Sequence, residues 1–233
     1  MLEVKNLSSG YGKVQILNDV SVNIKKGEIV SIIGRNGVGK STFVKTVIGI
    51  IQAKSGTIYF PAGRDITKWP AYKRARQGMA YVPQGHGIFP KLSVEENLKI
   101  GALINTGKKE EAYERVYEYF PRLAERRKQE AGTMSGGEQA MLSIGRALVN
   151  KPEIILLDEP SEGVQPNIVN QMGDIIQRIS EDMGLTVMMI EQHLGLIQQI
   201  SQRAYVMDKG TITNSLTKEE LNDDSEVTKY LAV

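Results

Sequence analysis

Lys40 and Ser41 close the stretch Gly34-Arg35-Asn36-Gly37-Val38-Gly39-Lys40-Ser41, which fits G-x-x-x-x-G-K-[ST] at every fixed position. Glycines at 34, 37 and 39 let the backbone turn tightly and approach an anion with no Cβ in the way. Their N–H groups, together with a helix N-terminus, make a concave anion site. Lys40 adds a point charge for the β- and γ-phosphates of a nucleotide, and the Ser41 hydroxyl is placed to ligate Mg²⁺. A glycine turn that merely joined a strand to a helix would need neither side chain in register. Far along the chain, Asp158-Glu159 ends the apolar run 154–157. Two adjacent acids just past a buried strand are poor candidates for a solvated charge run. Beside a phosphate loop, the first acid can hold Mg²⁺, directly or through water. The second can orient and activate the attacking water.

Four further places could serve the same chemistry. Tyr11, in a loop between two early strands, could stack on a nucleobase or be an ordinary loop tyrosine. Gln84 follows the short strand 79–82 and Pro83, where a side chain at the edge of a parallel sheet could reach a metal or water near the phosphates. Ser135-Gly136-Gly137 precedes a helix, which suits either a second phosphate contact or a plain serine N-cap with a glycine entry. His193 lies just past the strand 187–190, although a lone histidine is more often structural.

The elements that must position these residues follow from periodicity. Ile29-Val30-Ser31-Ile32-Ile33 is rich in β-branched residues and short enough for one buried strand. Phe43, Val44 and Val47 continue at helical spacing. Residues 1–33 read as strands, with turns at Ser8-Ser9-Gly10 and Lys26-Gly27, and another strand falls at 57–60. A polar, basic segment with Lys73, Arg74 and Arg76 leads to Gly78. Residues 93–149 look helical throughout. Ser93-Val94-Glu95-Glu96 fits a capping box, and Ala112, Val116 and Phe120 repeat at i,i+4 in a helix from Lys108 that Pro121 ends. The basic run 122–128 reads as a solvated face. A helix from Pro166 carries the stripe Ile168, Met172, Ile175, Ile176, Ile179 and Met183 up to Gly184. A helix at 194–201, strands at 203–207 and 211–214, and one or two short helices finish the chain.

At 233 residues the chain can bury a sizeable core, as one large α/β domain or one with a subdomain. Twenty-nine basic and 27 acidic residues nearly balance, which gives no electrostatic case for nucleic acid. Without cysteine there is neither a disulfide nor a thiolate metal site. The N-terminal residues have no signal-peptide core, and no apolar run is long enough to span a bilayer, so membrane association would go through a partner.

In this order the motifs resemble the ATP-binding subunits of ABC transporters, over essentially the whole chain. Residues 34–41 match the phosphate loop and Gln84 the Q-loop. Ser135-Gly136-Gly137-Glu138-Gln139 matches the family signature, Leu156-Leu157-Asp158-Glu159 the second acidic motif, and His193 the switch histidine. The resemblance implies a P-loop NTPase core with a mixed central sheet (residues 1–84 and 150–233), an N-terminal antiparallel β subdomain and an inserted helical signature subdomain at about 85–149. It implies ATP contacts from Tyr11, Gly34, Arg35, Asn36, Gly37, Val38, Gly39, Lys40, Ser41 and Thr42. Mg²⁺ would be held by Ser41, Gln84 and Asp158, and catalysis carried by Glu159, His193 and Gln84. Two subunits would pack head-to-tail, so that Ser135, Gly136, Gly137 and Glu138 of one complete the ATP site of the other. Gln165 departs from the family, standing where an Asp is usual.

Two stretches, 88–98 and 131–148, look like ATPases of the branched-chain amino-acid uptake group, whereas Glu162-Gly163-Val164-Gln165-Pro166 is more similar to its urea-type members. The partners implied are a second ATPase subunit, two permeases at the cytoplasmic face of the cell membrane and, indirectly, a solute-binding protein. A soluble ABC ATPase of DNA repair or translation would carry a second cassette or a long coiled-coil insertion. A P-loop kinase would leave the signature and His193 without a role.

Overall fold

The computed structural model describes residues 1–104 and 110–231. β1 (Leu2–Tyr11) and β2 (Val14–Ile24) pair antiparallel, and their turn is Gly12-Lys13, not Ser8-Ser9-Gly10. Gly12 supplies the left-handed residue (φ 54°) that a tight turn needs. The small residues before it serve packing instead. A Cβ on Gly10 would lie 2.1 Å from the Val14 carbonyl oxygen, and the buried Ser9 hydroxyl meets Thr46 Oγ1 at 2.7 Å. Shifts of register after Val4, Leu7 and Ser9 mark bulges, so the irregular polar spacing belongs to a continuous strand.

β3 (Ile29–Ile33), buried at all five positions, runs into the glycine loop and α1 (Lys40–Ile48). β4 (Ala53–Tyr59) starts earlier than the apolar residues suggest and pairs with β1, completing a three-stranded antiparallel sheet in the order β2-β1-β4. The basic segment that follows contains α2 (Ala71–Arg76), where Arg74 is only 2% exposed. Its guanidinium donates to the Thr46 and Val47 carbonyls at the end of α1, and to those of Thr67 and Trp69. A cation on the carbonyl end of a helix is favourable, and here it ties α1 to α2.

Between β5 (Met79–Val82) and residue 149 the regular elements among the described residues are all helices joined by loops: α3 (Val94–Gly101), α4 (Glu110–Tyr119), α5 (Pro121–Glu125) and α6 (Gly136–Leu148), with two short 3₁₀ turns. The Ser93–Glu96 capping box forms as expected. The expected start of α4 at Lys108 lies outside the described residues. Pro121 both stops α4 and opens α5. The basic run is docked in part: Arg126 Nε lies 3.2 Å from Glu138, and Arg127 lies over the Tyr117 ring.

The chain then returns to the sheet with β6 (Ile154–Asp158), α7 (Pro166–Met183), β7 (Thr186–Ile190), α8 (Leu194–Ile200), β8 (Arg203–Asp208) and β9 (Thr211–Leu216). Two short helices follow, α9 (Lys218–Leu221) and α10 (Asp224–Leu231). The six-stranded sheet has the order β5-β6-β7-β3-β8-β9, parallel except for β9, so it is mixed as expected. Of the anticipated α7 stripe, Met172, Ile176 and Ile179 are buried, while Ile168, Ile175 and Met183 are partly covered.

Successive residues of a strand face opposite sides, and both sides of this sheet are covered. Ile155 and Leu157 of β6 pack with the helical residues and α7, whereas Ile154 and Leu156 join the core under α1 and the antiparallel sheet. Each fully buried side chain of this kind contributes about 1.5–3 kcal/mol, which is why β3, β6 and β7 are continuous apolar runs. Their shared direction brings residues 34, 84, 158–159 and 191–193 to one edge, outside the carboxyl ends of the strands.

Candidate functional site

The loop between β3 and α1 is shaped by glycines that other residues could not replace. Gly34 has φ 147°, and a Cβ there would sit 2.2 Å from the Met207 carbonyl oxygen. Gly39, the N-cap of α1, has φ 113° and lies against Leu17 and Ile16. No side chain caps α1 and its first turn holds no acid, so its N-terminal N–H groups and positive dipole end are uncompensated. Lys40 is 5% exposed, and its ammonium donates to the carbonyls of Gly34 (2.7 Å) and Arg35 (2.8 Å). Burial lowers its pKa, opposed by the charges of Glu159, Asp158 and Glu191. A buried cation beside an open helix N-terminus, on a loop whose backbone at Gly34 leaves no room for a Cβ, fits a polyphosphate.

Across the cleft stand the two acids. Asp158, buried at the end of β6, accepts from Ser41 Oγ (2.9 Å) and from the Tyr81 hydroxyl (3.1 Å). Burial raises its pKa, and the two hydrogen bonds pull it back. Glu159 holds a left-handed backbone (φ 50°), a conformation that costs a non-glycine residue about 1–3 kcal/mol. Its carboxylate accepts from Gln84 Nε2 (3.2 Å) and from Gln192 Nε2 (2.7 Å). Burial also raises the Glu159 pKa, while the Gln192 bond and then Lys40 lower it. The resulting cleft, about 360 Å³, is lined by Ile16, Asn36, Gly37, Gly39, Lys40, Ser41, Thr42, Gln84 and Glu159. Among the described residues no group of three or more His, Cys, Asp or Glu could hold a metal alone. The oxygen donors of Ser41 and Asp158 suit a magnesium ion that takes its other ligands from phosphate and water.

The other expected residues lie elsewhere. Tyr11 ends β1 and is 53% exposed. Ser135 caps α6 in a reciprocal box: Glu138 N–H donates to its hydroxyl, while Ser135 N–H and Oγ donate to the Glu138 carboxylate. A Cβ on Gly136 would meet the Gly163 carbonyl oxygen at 3.0 Å, and one on Gly137 would meet Ile168 Cγ2 at 2.5 Å. The signature therefore packs on the loop before α7, and none of its residues lines the cleft. His193 caps α8, its Nδ1 accepting from Leu196 N–H at 3.2 Å.

Three residues of this region carry no local signal. Tyr81 is one tyrosine in a short strand, and only the pairing of β5 with β6 brings it to Asp158. Glu191, 2% exposed, accepts from the backbone N–H groups of Ser161, Gln192 and His193. Gln192 donates to Glu159 and to Asn36 Oδ1, 2.7 Å each.

Comparison with known proteins adds to this geometry. The family model described as "ABC transporter" matches residues 17–162. The high-affinity branched-chain amino acid transport ATP-binding protein BraG of Pseudomonas aeruginosa is 46% identical over 213 residues, 91% of either chain. The probable branched-chain amino acid transport ATP-binding protein LivF of Archaeoglobus fulgidus is 38% identical over 232 residues, 98% of this chain and 97% of its own. The lipopolysaccharide export system ATP-binding protein LptB of Escherichia coli K12 is 34% identical over 230 residues, 97% of this chain and 94% of its own. Among solved structures, the ADP conformation of MJ1267, an ATP-binding cassette of an ABC transporter, aligns with a TM-score of 0.86 at 28% identity, covering 99% of this chain and 97% of that one.

Proposed function

We propose, from the premise that this chain belongs to the ABC transporter family, that it powers an importer of branched-chain or other hydrophobic amino acids. It is an ATPase whose hydrolysis is coupled to transport. The solute is carried by one observation, the 46% identity to BraG across 91% of both chains, against 34% to an export ATPase. The Glu162–Pro166 segment supports urea or a short amide as the second reading.

In this reading the α1 N-terminus and Lys40 hold the β- and γ-phosphates, and Thr42 and the backbone of residues 35–38 complete the cradle. Ser41 and Asp158, with Gln84 near them, are the candidates to hold Mg²⁺, which when bound neutralises phosphate charge. Glu159 takes a proton from the water that attacks the γ-phosphorus while the bond to the ADP oxygen breaks. Burial raises its pKa, which makes the carboxylate a stronger base than a free one. Tyr11 is exposed enough to stack on the adenine.

The signature is completed by a second subunit. None of Ser135, Gly136 and Gly137 lines the cleft of its own chain, and the two glycines sit against residues 163–168. In a head-to-tail pair, Ser135 and Gly137 of the partner subunit would close over it, with Glu138 holding the turn in shape.

No helix among the described residues is long and apolar enough to cross a membrane. Permease contact is supported by an apolar groove rimmed by exposed Ile50, Tyr72 and Ile104. Arg146 lines it, and its buried Nη1 has no hydrogen-bond partner. The groove runs between α2 and the helices of residues 93–149, in keeping with a helical subdomain at about 85–149 and a sheet core from the rest.

The test is ATP-driven uptake by the full transporter in proteoliposomes, with its permeases and binding protein. Leucine uptake that Glu159→Gln abolishes is the expected result. Uptake of urea without leucine selects the second reading, and ATP-driven efflux overturns the importer.

A further inference from the structure

Two hydroxyls from distant parts of the chain hold Asp158, one on each carboxylate oxygen. Ser41 Oγ donates to Oδ1 at 2.9 Å from the first turn of α1, and the Tyr81 hydroxyl donates to Oδ2 at 3.1 Å from β5. Strand register explains the second contact. Tyr81 pairs with Leu156, so Asp158, two residues further on, emerges on the same face of the sheet. That face lies under α1, and the Tyr81 ring packs with the core that holds Leu156, Phe43, Val44 and Val47. Its outer flank lines the apolar groove beside Ile48 and Ile50. Packing between helix and strand fixes the ring and aims the hydroxyl at the acid. That hydroxyl has no other partner among the described residues.

A carboxylate only 1% exposed needs such donors, since an unpaired charge at this depth is costly. No ion pair joins Asp158 among the described residues, so the two hydroxyls fix its plane. They fill two of its roughly four lone-pair sites and leave one on each oxygen for a cation or a cation's water. Ser41 is shared between the acid and the cation it would help to hold. Tyr81 serves the acid alone and does not line the nucleotide cleft. We infer that Tyr81 is a positioning residue for the divalent cation: its hydroxyl sets the Asp158 carboxylate in the orientation that receives Mg²⁺, touching neither metal nor nucleotide. This rests on the reading of Asp158 as a metal-holding acid. Loss of the hydroxyl must then weaken metal binding while the phosphate cradle keeps its hold on nucleotide.

The experiment titrates Mn²⁺, as a paramagnetic stand-in for Mg²⁺, into the full chain with stoichiometric ADP and follows free Mn²⁺ by electron paramagnetic resonance. Wild type is compared with Tyr81→Phe, Tyr205→Phe, Asp158→Ala and the Tyr81→Phe, Asp158→Ala double variant. A fluorescent ADP analogue in the presence of a chelator gives nucleotide affinity without metal. Tyr81→Phe keeps the ring and should raise the Mn²⁺ dissociation constant about 10- to 100-fold, the scale for losing a hydrogen bond to a metal-holding group. Metal-free ADP affinity should stay at wild type. The Mg²⁺ concentration for half-maximal ATP turnover should rise, with kcat at saturating Mg²⁺ changed less than about threefold. Tyr205→Phe deletes a hydroxyl bonded to the Asn23 backbone and should leave Mn²⁺ binding unchanged. In the Asp158→Ala background, Tyr81→Phe should cost about twofold or less, because its acceptor is gone; a full further loss there overturns the inference. Wild-type Mn²⁺ affinity in Tyr81→Phe, with weakened binding in Asp158→Ala, overturns the inference alone. So does an equal loss of metal-free ADP affinity in Tyr81→Phe, or the same Mn²⁺ loss in Tyr205→Phe, since either marks a general loosening of the fold. Wild-type Mn²⁺ affinity in Asp158→Ala overturns the reading of that acid and the inference with it.

Discussion

The N-termini of α1 and α6 are built from similar residues and end up in opposite electrostatic states. Each has glycines at its start and a hydroxyl beside them. At α1 the N-cap is Gly39, no side chain caps the N–H groups, and the first turn has no acid. At α6 the Ser135–Glu138 box closes on itself, and Arg126 neutralises the acid. The first end therefore waits for a charge from outside, and Lys40, Ser41 and Asp158 are gathered around it. The second is satisfied within its own chain, and none of its residues lines the cleft. Glycine content does not separate the two; the presence or absence of a local acceptor does.

The sharpest way to break this contrast is on the open side. Glu159→Gln should cut ATP turnover about 10²- to 10⁴-fold, the range for a general base, while nucleotide still binds; a phosphate-release assay beside a binding titration checks both. Lys40→Ala should weaken ATP binding roughly 10- to 100-fold, from about 1.5–3 kcal/mol for a charge-assisted hydrogen bond. Unchanged affinity by calorimetry would remove Lys40 from the cradle.

On the closed side, Ser135→Arg should leave ATP binding by the chain intact and block pairing of subunits, read as loss of cooperative turnover and of an ATP-dependent dimer in light scattering. Ser135→Ala should mainly cost stability, about 1 kcal/mol for a lost N-cap.

The smallest effects carry the contrast into stability. Burial raises the Asp158 pKa, so the nucleotide-free folded chain binds that proton more tightly than the unfolded chain does. Stability is then lost as pH climbs from the ordinary carboxylate range through the raised value. Asp158→Asn should lift the melting temperature of the nucleotide-free chain at pH 8, with a smaller gain at pH 4–5. Glu138→Gln, which removes a satisfied acid, should lower folding stability by about 1 kcal/mol or less. Melts at both pH values test the pair, and a stabilising Glu138→Gln would erase the distinction between the two helix ends.

How far the molecule could be read in advance follows the reach of its interactions. The buried runs of β3, β6 and β7 and the box at Ser93 are satisfied within a few residues or by burial alone, and they stand where the residue pattern predicts, whereas at Ser135 the pattern leaves an N-cap and a phosphate contact open and the structure shows a closed box. Gly10 was misleading because what demands a glycine there is the Val14 carbonyl on the opposite strand. Arg74, in an apparently polar segment, is buried because its acceptors are carbonyls at the end of α1, 27 and 28 residues back. Tyr81 acquires its partner only through strand pairing.

Residue types alone determined that this chain handles a nucleotide. The spacing of Gly34, Gly37, Gly39, Lys40 and Ser41 and the acids after a buried strand are local chemistry, legible wherever they occur. The tertiary structure decided which side chains meet. It turned Gln192 toward Glu159 and His193 onto α8, and it set the signature against the loop before α7 and away from the cleft. At the end of a strand one residue separates two opposite directions, and the packing of β7 between β3 and β6 chooses between them.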